Sequence, residues 1–270
     1  MNLDTLREIT QEIRKVVIET MSNSDDYGEL VKVRPRDITR KIDLVAEEAL
    51  DTALENRSIS ARIISEEIGD RIVGRNPQCL LVFDPVDGST NATCGIPFFC
   101  TSLALCEKID DATFDDVTLS AITTAENTTY SAVKNRGAYI NNKRITGKKG
   151  GTRTRPILSI YAYGVEEMPE GIIQLEKHII QRTLGSIALE MCYVAEGTLD
   201  GLIDTRGLVS SYDIMASQLI LSETGGFITN LRGEQIIVGA EASCISLIAT
   251  ADKNLHNNIL KYLQAGTGLK

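Results

Sequence analysis

Apolar residues recur at Leu3, Leu6, Ile9, Ile13, Val16 and Val17 with charged residues between them. That spacing predicts an amphipathic helix ending near Met21-Ser22-Asn23. A polar loop through Asp25, Asp26 and Gly28 and a basic stretch from Lys32 to Lys41 follow. A second helix is carried by Val45, Ala46, Ala49, Leu50, Ala53 and Leu54, with Asp43 at its head in the position of an N-cap. Ile59 to Glu67 reads as a strand ending in paired acids, Glu66 and Glu67, which extended backbone would point to opposite sides. Cys79 to Phe83 is short and wholly apolar, and Pro and Gly close it, as in a buried strand.

From Ile96-Pro97 onward the pattern turns to strands: Phe99 to Cys106, Val117 to Thr124, Thr128 to Val133, and a hairpin from Tyr139 to Ile145. Together they predict an antiparallel sheet. Lys148-Lys149-Gly150-Gly151-Thr152 is the expected connection between an N-terminal α+β domain, residues 1–150, and a C-terminal α/β domain, residues 151–270. The second half alternates strand and helix, hence an α/β layer. It has a strand at Ile157 to Tyr161, a helix at Ile172 to Ile180, a helix opened by Gly185-Ser186 and a strand at Gly197 to Thr205. A mostly apolar helix from Ser211 stops at Gly225-Gly226. Strands near Gly226 to Asn230, Gln235 to Val238 and Ser243 to Thr250 precede a final amphipathic helix.

Composition narrows the function. The net charge of −9 argues against a nucleic-acid partner, whose phosphates need a basic face. No apolar run reaches membrane-spanning length, and Met1-Asn2-Leu3-Asp4 lacks the basic-then-apolar start of an export signal, so a cytoplasmic location is expected. Six cysteines form no Cys-x-x-Cys pair and read as buried thiols. With two histidines, a zinc site and a Ser-His-Asp hydrolase are both disfavoured.

The chemistry concentrates in Asp84-Pro85-Val86-Asp87-Gly88-Ser89-Thr90-Asn91. Two unit charges about 4 Å apart repel by on the order of 4 kcal/mol at an effective dielectric near 20. Two aspartates at one strand end therefore call for a cation, and hard oxygen donors suit Mg²⁺ or Mn²⁺. Gly88 allows close backbone approach, and Ser89 and Thr90 offer amides and hydroxyls to a phosphate. An ordinary Asp-Gly turn is the bland alternative, and it leaves the second Asp, the Pro and the Ser-Thr-Asn tail unexplained. The haloacid-dehalogenase type of phosphatase also ends a strand in Asp-Gly-Thr. Its aspartates are one residue apart, whereas Pro85 and Val86 separate these.

Asp84-Pro85-Val86-Asp87-Gly88-Ser89-x-Asn91 resembles the first signature of the inositol monophosphatase and fructose-1,6-bisphosphatase superfamily, a group of Mg²⁺-dependent, lithium-sensitive phosphatases. The resemblance implies a layered αβαβα sandwich of the sugar phosphatase type and two or three Mg²⁺ ions, with Mn²⁺ as an alternative. It makes Glu66, Asp84, the Val86 carbonyl, Asp87 and Asp213 the metal ligands. Glu66 would also activate water, which Asp43 and Ser89 orient. Gly88, Ser89 and Thr90 would grip phosphate, and Asp87, Gly185, Ser186, Asp204 and Arg206 would meet the rest of the substrate. Tyr212 stands where the family usually has Trp before the last aspartate. Asp204 and Arg206 replace a glutamate of the vertebrate inositol phosphatases, a departure resembling archaeal and bacterial members. The resemblance implies a homodimer acting on a small sugar or polyol phosphate. A 3′-phosphoadenosine-5′-phosphate phosphatase and a non-catalytic metal- or ligand-binding module are the competing readings.

Overall fold

The computed structural model describes residues 1–34, 37–146, 154–165 and 168–266. The connection expected at Lys148 to Thr152 lies outside them. Helices α1 (Leu3–Asn23) and α2 (Lys41–Asn56) flank a small ribbon of β1 (Leu30–Arg34) and β2 (Asp37–Arg40). The main sheet takes β3 (Ala61–Ser65), β4 (Gly69–Val73), β5 (Leu80–Asp87), β6 (Cys100–Cys106), β7 (Val117–Thr124), β8 (Thr129–Val133), β9 (Gly137–Ile140) and β10 (Lys143–Arg144), with a short α3 (Ser89–Thr93) after β5. Its spatial order is β10-β9-β8-β7-β6-β5-β3-β4, antiparallel throughout except where β3 runs parallel to β5.

The second part contains β11 (Ile157–Tyr161), α4 (Glu170–Glu176), β12 (Ile180–Arg182), α5 (Ile187–Glu196), β13 (Gly201–Val209), α6 (Ser211–Glu223), β14 (Phe227–Thr229), β15 (Ile245–Thr250) and α7 (Lys253–Gly266). Its sheet runs β12-β11-β13-β15-β14, with β11 parallel to both of its neighbours.

Strand alternation builds the layers. On β5, Leu81 and Phe83 turn to the α1 and α2 side, where they join Leu6, Ile9, Ile13, Ile42 and Leu50. Leu80 and Val82 turn to the opposite face, against Leu189 and Met191 of α5 and Ile214 and Met215 of α6. A central strand covered on both faces has to be apolar at every position, which explains its continuous run. Helices α5 and α6 are shared, because Leu202 of β13 and Leu247 of β15 belong to the same core. The far face of the second sheet, through Leu158, Ile203 and Ile248, packs on Ile172 and Leu175 of α4 and Ile259 of α7. The order is helix, sheet, helix, sheet, helix, the αβαβα sandwich expected from the resemblance.

Several sequence expectations need correction. The helix expected to Ile180 stops at Glu176, and Ile180 joins β12 beside β11. Ile179 is buried ahead of the strand and Ile180 is exposed on it, and the pairing of β12 with β11 claims Ile180 in place of a longer helix. The strand expected at Gly197 to Thr205 is shifted to β13, Gly201–Val209, because Gly197 takes a left-handed conformation and ends α5. Residues 235–238 form no strand. Glu66 and Glu67 do not lie on extended backbone but in the turn joining β3 to β4. Cys94 and Cys244 are exposed, while the other four cysteines are buried.

Helices α4 and α7 touch almost backbone to backbone. A Cβ added at Gly171 would stand 2.3 Å from the Tyr262 carbonyl oxygen. Alanine is the better helix former by about 1 kcal/mol, but overpacking against backbone costs about 1–3 kcal/mol. Gly171→Ala is therefore expected to lower stability in urea unfolding, and an unchanged or raised midpoint would contradict this packing.

Candidate metal and phosphate site

Asp84 and Asp87 stand three residues apart on β5, and in a regular strand such residues face opposite sides. The pairing with β6 removes the conflict. Asp84 lies opposite Ser102 and Asp87 opposite Cys100, so β5 uses one residue more than its partner. The extra residue is a bulge at Pro85-Val86, where a proline without an N–H is tolerated inside a sheet. The Thr101 hydroxyl donates to the Pro85 carbonyl at 3.0 Å and holds the distortion. Both carboxylates then act on one space, since the Asp87 charge is among those that raise the Asp84 pKa.

Other elements bring two further acids there. Glu66 follows β3, and its N–H donates to the Phe83 carbonyl at 3.3 Å. Asp213 heads α6, with Oδ2 accepting the Ser210 N–H at 2.6 Å. It is the third helical residue rather than the cap, which is Ser210. Burial first, then the charges of Glu66, Asp87 and Asp213, hold the Asp84 carboxyl well above the usual carboxylate range. Glu66 is hydrogen-bonded to it, and Asp84 Oδ1 is buried without a partner.

Asp87 is compensated differently. Burial pushes its pKa up to about 6, against the pull of the Ser186 hydroxyl and the Ile187, Ala188 and Leu189 amides. Its Oδ2 accepts from Ser186 Oγ at 2.7 Å and Ala188 N at 2.6 Å. The positive end of the ten-residue α5 thus points at Asp87. Ser186, read from the sequence as a substrate contact, is wholly buried with its hydroxyl on Asp87.

Around this centre, Asp43 is buried as the third residue of α2, not its cap, and accepts the Arg40 N–H at 2.7 Å. Gly88 caps α3 with a left-handed φ of 93°, so Ser89 and Thr90 form the first turn. Asp204 is wholly buried and paired with Arg206 at 2.6 Å. The Arg206 guanidinium lies 4.5 Å from the Tyr161 ring and 4.7 Å from that of Tyr163. The structure thus gathers Glu66, Asp84, Asp87 and Asp213, and it ties Asp204 and Arg206 to each other.

Sequence reasoning gave no role to Asn91, yet its amide donates to the carbonyls of Phe98 and Leu184, both at 2.7 Å. It locks the Gly88 turn to the Gly185 turn, and a Cβ on Gly185 would stand 2.8 Å from that amide. Thr39 was also missed, and its hydroxyl donates to the buried Glu67 carboxylate.

An all-oxygen donor set with an orphaned buried carboxylate oxygen fits a hard divalent cation. Among the described residues no three acid, His or Cys side chains are already drawn into ligating geometry. Asp87 and Asp213 each turn Oδ2 onto amides at two helix heads.

The raised Asp84 pKa makes a prediction for chelator-treated protein. A carboxyl with a folded pKa above its unfolded value binds more protons when folded, so its contribution to stability falls as pH rises past the unfolded value near 4. Asp84→Asn is expected to stabilise the metal-free protein at pH 7. The gain should vanish near pH 4. Denaturant unfolding at both pH values reads it, and a destabilised variant at pH 7 would contradict the electrostatics.

Comparison with known proteins agrees with this geometry. The family model described as the inositol monophosphatase family matches residues 2–267. A fructose-1,6-bisphosphatase/inositol-1-monophosphatase of Methanothermobacter thermautotrophicus is 34% identical over 258 residues, covering 92% of this chain and 91% of that protein. A fructose-1,6-bisphosphatase of Pyrococcus furiosus is 32% identical, covering 98% of this chain and all of its own (100%). Among solved structures, a Pyrococcus horikoshii protein described as having similarities to inositol-1 monophosphatase superposes with a TM-score of 0.79 at 26% identity, over 97% of this chain and 99% of that one. On the fold, the signature around Asp84 and these matches, the chain belongs to the inositol monophosphatase family.

Proposed function

We propose that this protein is a phosphoric monoester hydrolase acting on a sugar or polyol phosphate, with inositol monophosphate as the leading substrate and fructose 1,6-bisphosphate as a second. The observation that carries the reading is the convergence of Glu66, Asp84, Asp87 and Asp213 beside the Gly88-Ser89-Thr90 turn. The names of the relatives support both substrates.

Glu66, Asp84, the Val86 carbonyl, Asp87 and Asp213 would hold Mg²⁺, with Mn²⁺ as a substitute. When bound, the ion neutralises phosphoryl charge and lowers the pKa of water. The chain's own groups do the remaining work. Glu66, half-buried beside Asp84, takes the proton of the attacking water, and Ser89 and Asp43 orient that water. Amides of the Gly88-Ser89-Thr90 turn receive the phosphoryl oxygens. Arg206 faces the part of the substrate beyond the phosphate. No histidine serves as base, since His178 stacks on Tyr262 and His256 bonds Thr229 and Thr250. The division at about residue 150, with Asp213 supplied from the second part, belongs to the same reading.

Purified protein with Mg²⁺ and inositol 1-phosphate, fructose 1,6-bisphosphate or 3′-phosphoadenosine 5′-phosphate tests this by released phosphate. The first two should be hydrolysed and a chelator should stop the reaction. Asp84→Asn should lose at least about 10²–10³-fold in kcat, the scale on which removing one transition-state electrostatic contact acts. A folded Asp84→Asn protein with full activity would refute the mechanism. Turnover of the adenosine compound alone would replace the substrate class, and inertness toward all three would favour a binding module.

A further inference from the structure

Glu190 is the one acid on α5 before its final residue, set among Ile187, Ala188, Leu189, Met191 and Cys192. It is wholly buried. Burying a carboxylate inside an apolar helix face is costly unless donors meet it; here two donors meet Oε1, while Oε2 is buried without a partner. Glu190 Oε1 accepts from Ser159 Oγ at 2.6 Å and from the Leu184 N–H at 2.7 Å. The Tyr161 hydroxyl lies close enough to the carboxyl to act on it, and it accepts the Gly185 N–H at 3.0 Å. Burial exceeds this compensation and pushes the Glu190 pKa up to about 7.

The network reaches the site by two routes. Leu184 is held at both ends, its N–H by Glu190 and its carbonyl by Asn91, which fixes the turn leading into Ser186 and Asp87. Tyr161 carries the Arg206 guanidinium on its ring face at 4.5 Å. Tyr161 thus shares with Tyr163 and Asp204 the hold on Arg206, the cation that the proposed function sets beyond the carboxylates.

We propose that Glu190 is a positioning residue that, through Tyr161, sets Arg206 and the Leu184–Gly185 turn against the part of the substrate distal to the reacting phosphate. This rests on the phosphatase reading above and deepens it: Glu190 governs selection of polyol phosphates over esters lacking the polyol. The heads of α5 and α6, which hold Asp87 and Asp213, make none of these bonds. The phosphate-cleaving half, which Glu190 reaches only through Leu184, should therefore lose less than the distal contacts.

The test compares wild type, Glu190→Gln, Glu190→Ala and Tyr161→Phe on inositol 1-phosphate and on 4-nitrophenyl phosphate, each with Mg²⁺, after thermal unfolding has shown which variants fold. Glu190→Gln keeps the shape and an accepting oxygen, and Tyr161→Phe keeps the ring under Arg206, so these two carry the test if Glu190→Ala fails to fold. For inositol 1-phosphate, KM should rise about tenfold in Glu190→Ala and Tyr161→Phe, the scale of one lost buried hydrogen bond. Glu190→Gln should recover part of that loss. For the aryl ester, which lacks the polyol, the loss should be clearly smaller than for inositol 1-phosphate in the same variant. Equal losses on both substrates, or none on either, would overturn the proposal. Wild-type protein inert toward both esters would refute the phosphatase reading instead. The same variants would then be read by calorimetric binding of inositol 1-phosphate, where affinity unchanged from wild type overturns the Glu190 role and weakened affinity supports it.

Discussion

A single extra residue in β5 is the constraint on which the rest of the site depends. Without the bulge at Pro85-Val86, strand alternation would send Asp84 and Asp87 to opposite layers, one of them into apolar core. With it, two acids share one buried place at a sheet end, and their mutual repulsion becomes a standing free-energy cost in the metal-free chain. Proline stabilises the irregularity because it has no N–H to leave unpaired, and Thr101 satisfies the buried Pro85 carbonyl.

The remaining architecture manages that cost. The helix pair α5 and α6 forms the middle layer between the two sheets, and both helices direct their N-terminal ends to the acids. The α5 head donates to Asp87, while the α6 head brings in Asp213. Helix N-termini favour negative charge, so the layer that joins the two sheets also steadies the carboxylates. Asp84 receives no such help at Oδ1, which makes it the point where a cation gains most.

Much of this was legible in the sequence. The apolar run into Asp84, the helical spacing of α1 and the Gly-Gly stop of α6 each follow from a local pattern that tertiary packing leaves intact. The family resemblance supplied the layer order, which periodicity alone does not give. What failed was decided by long-range pairing. Ile179 and Ile180 suit a helix as well as an edge strand until β11 is placed beside them. Glu66 and Glu67 read as strand because nothing local marks the β3–β4 turn before Gly69. Asp43 resembled a cap and is, like Asp213, a third-position partner of the residue before its helix, a difference of one turn. Ser186 carried the helix-start signal, but its burial against Asp87 could be seen only once β5 and α5 met. Glu190 left a usable trace, a lone charge inside an apolar helix segment, and Asn91 sat in plain view within the motif.

The central claim is that Glu66, Asp84, Asp87 and Asp213 form a divalent cation site, with burial raising the pKa values of Asp84 and Asp87. Isothermal titration of chelator-treated protein with Mg²⁺ at pH 6, in two buffers of different ionisation enthalpy, tests it most directly, because a cation must displace protons from carboxyls whose pKa values are raised. Saturable binding with net proton release at pH 6 that diminishes as pH rises is expected. Absence of saturable binding, or binding with no proton released at pH 6, would contradict it.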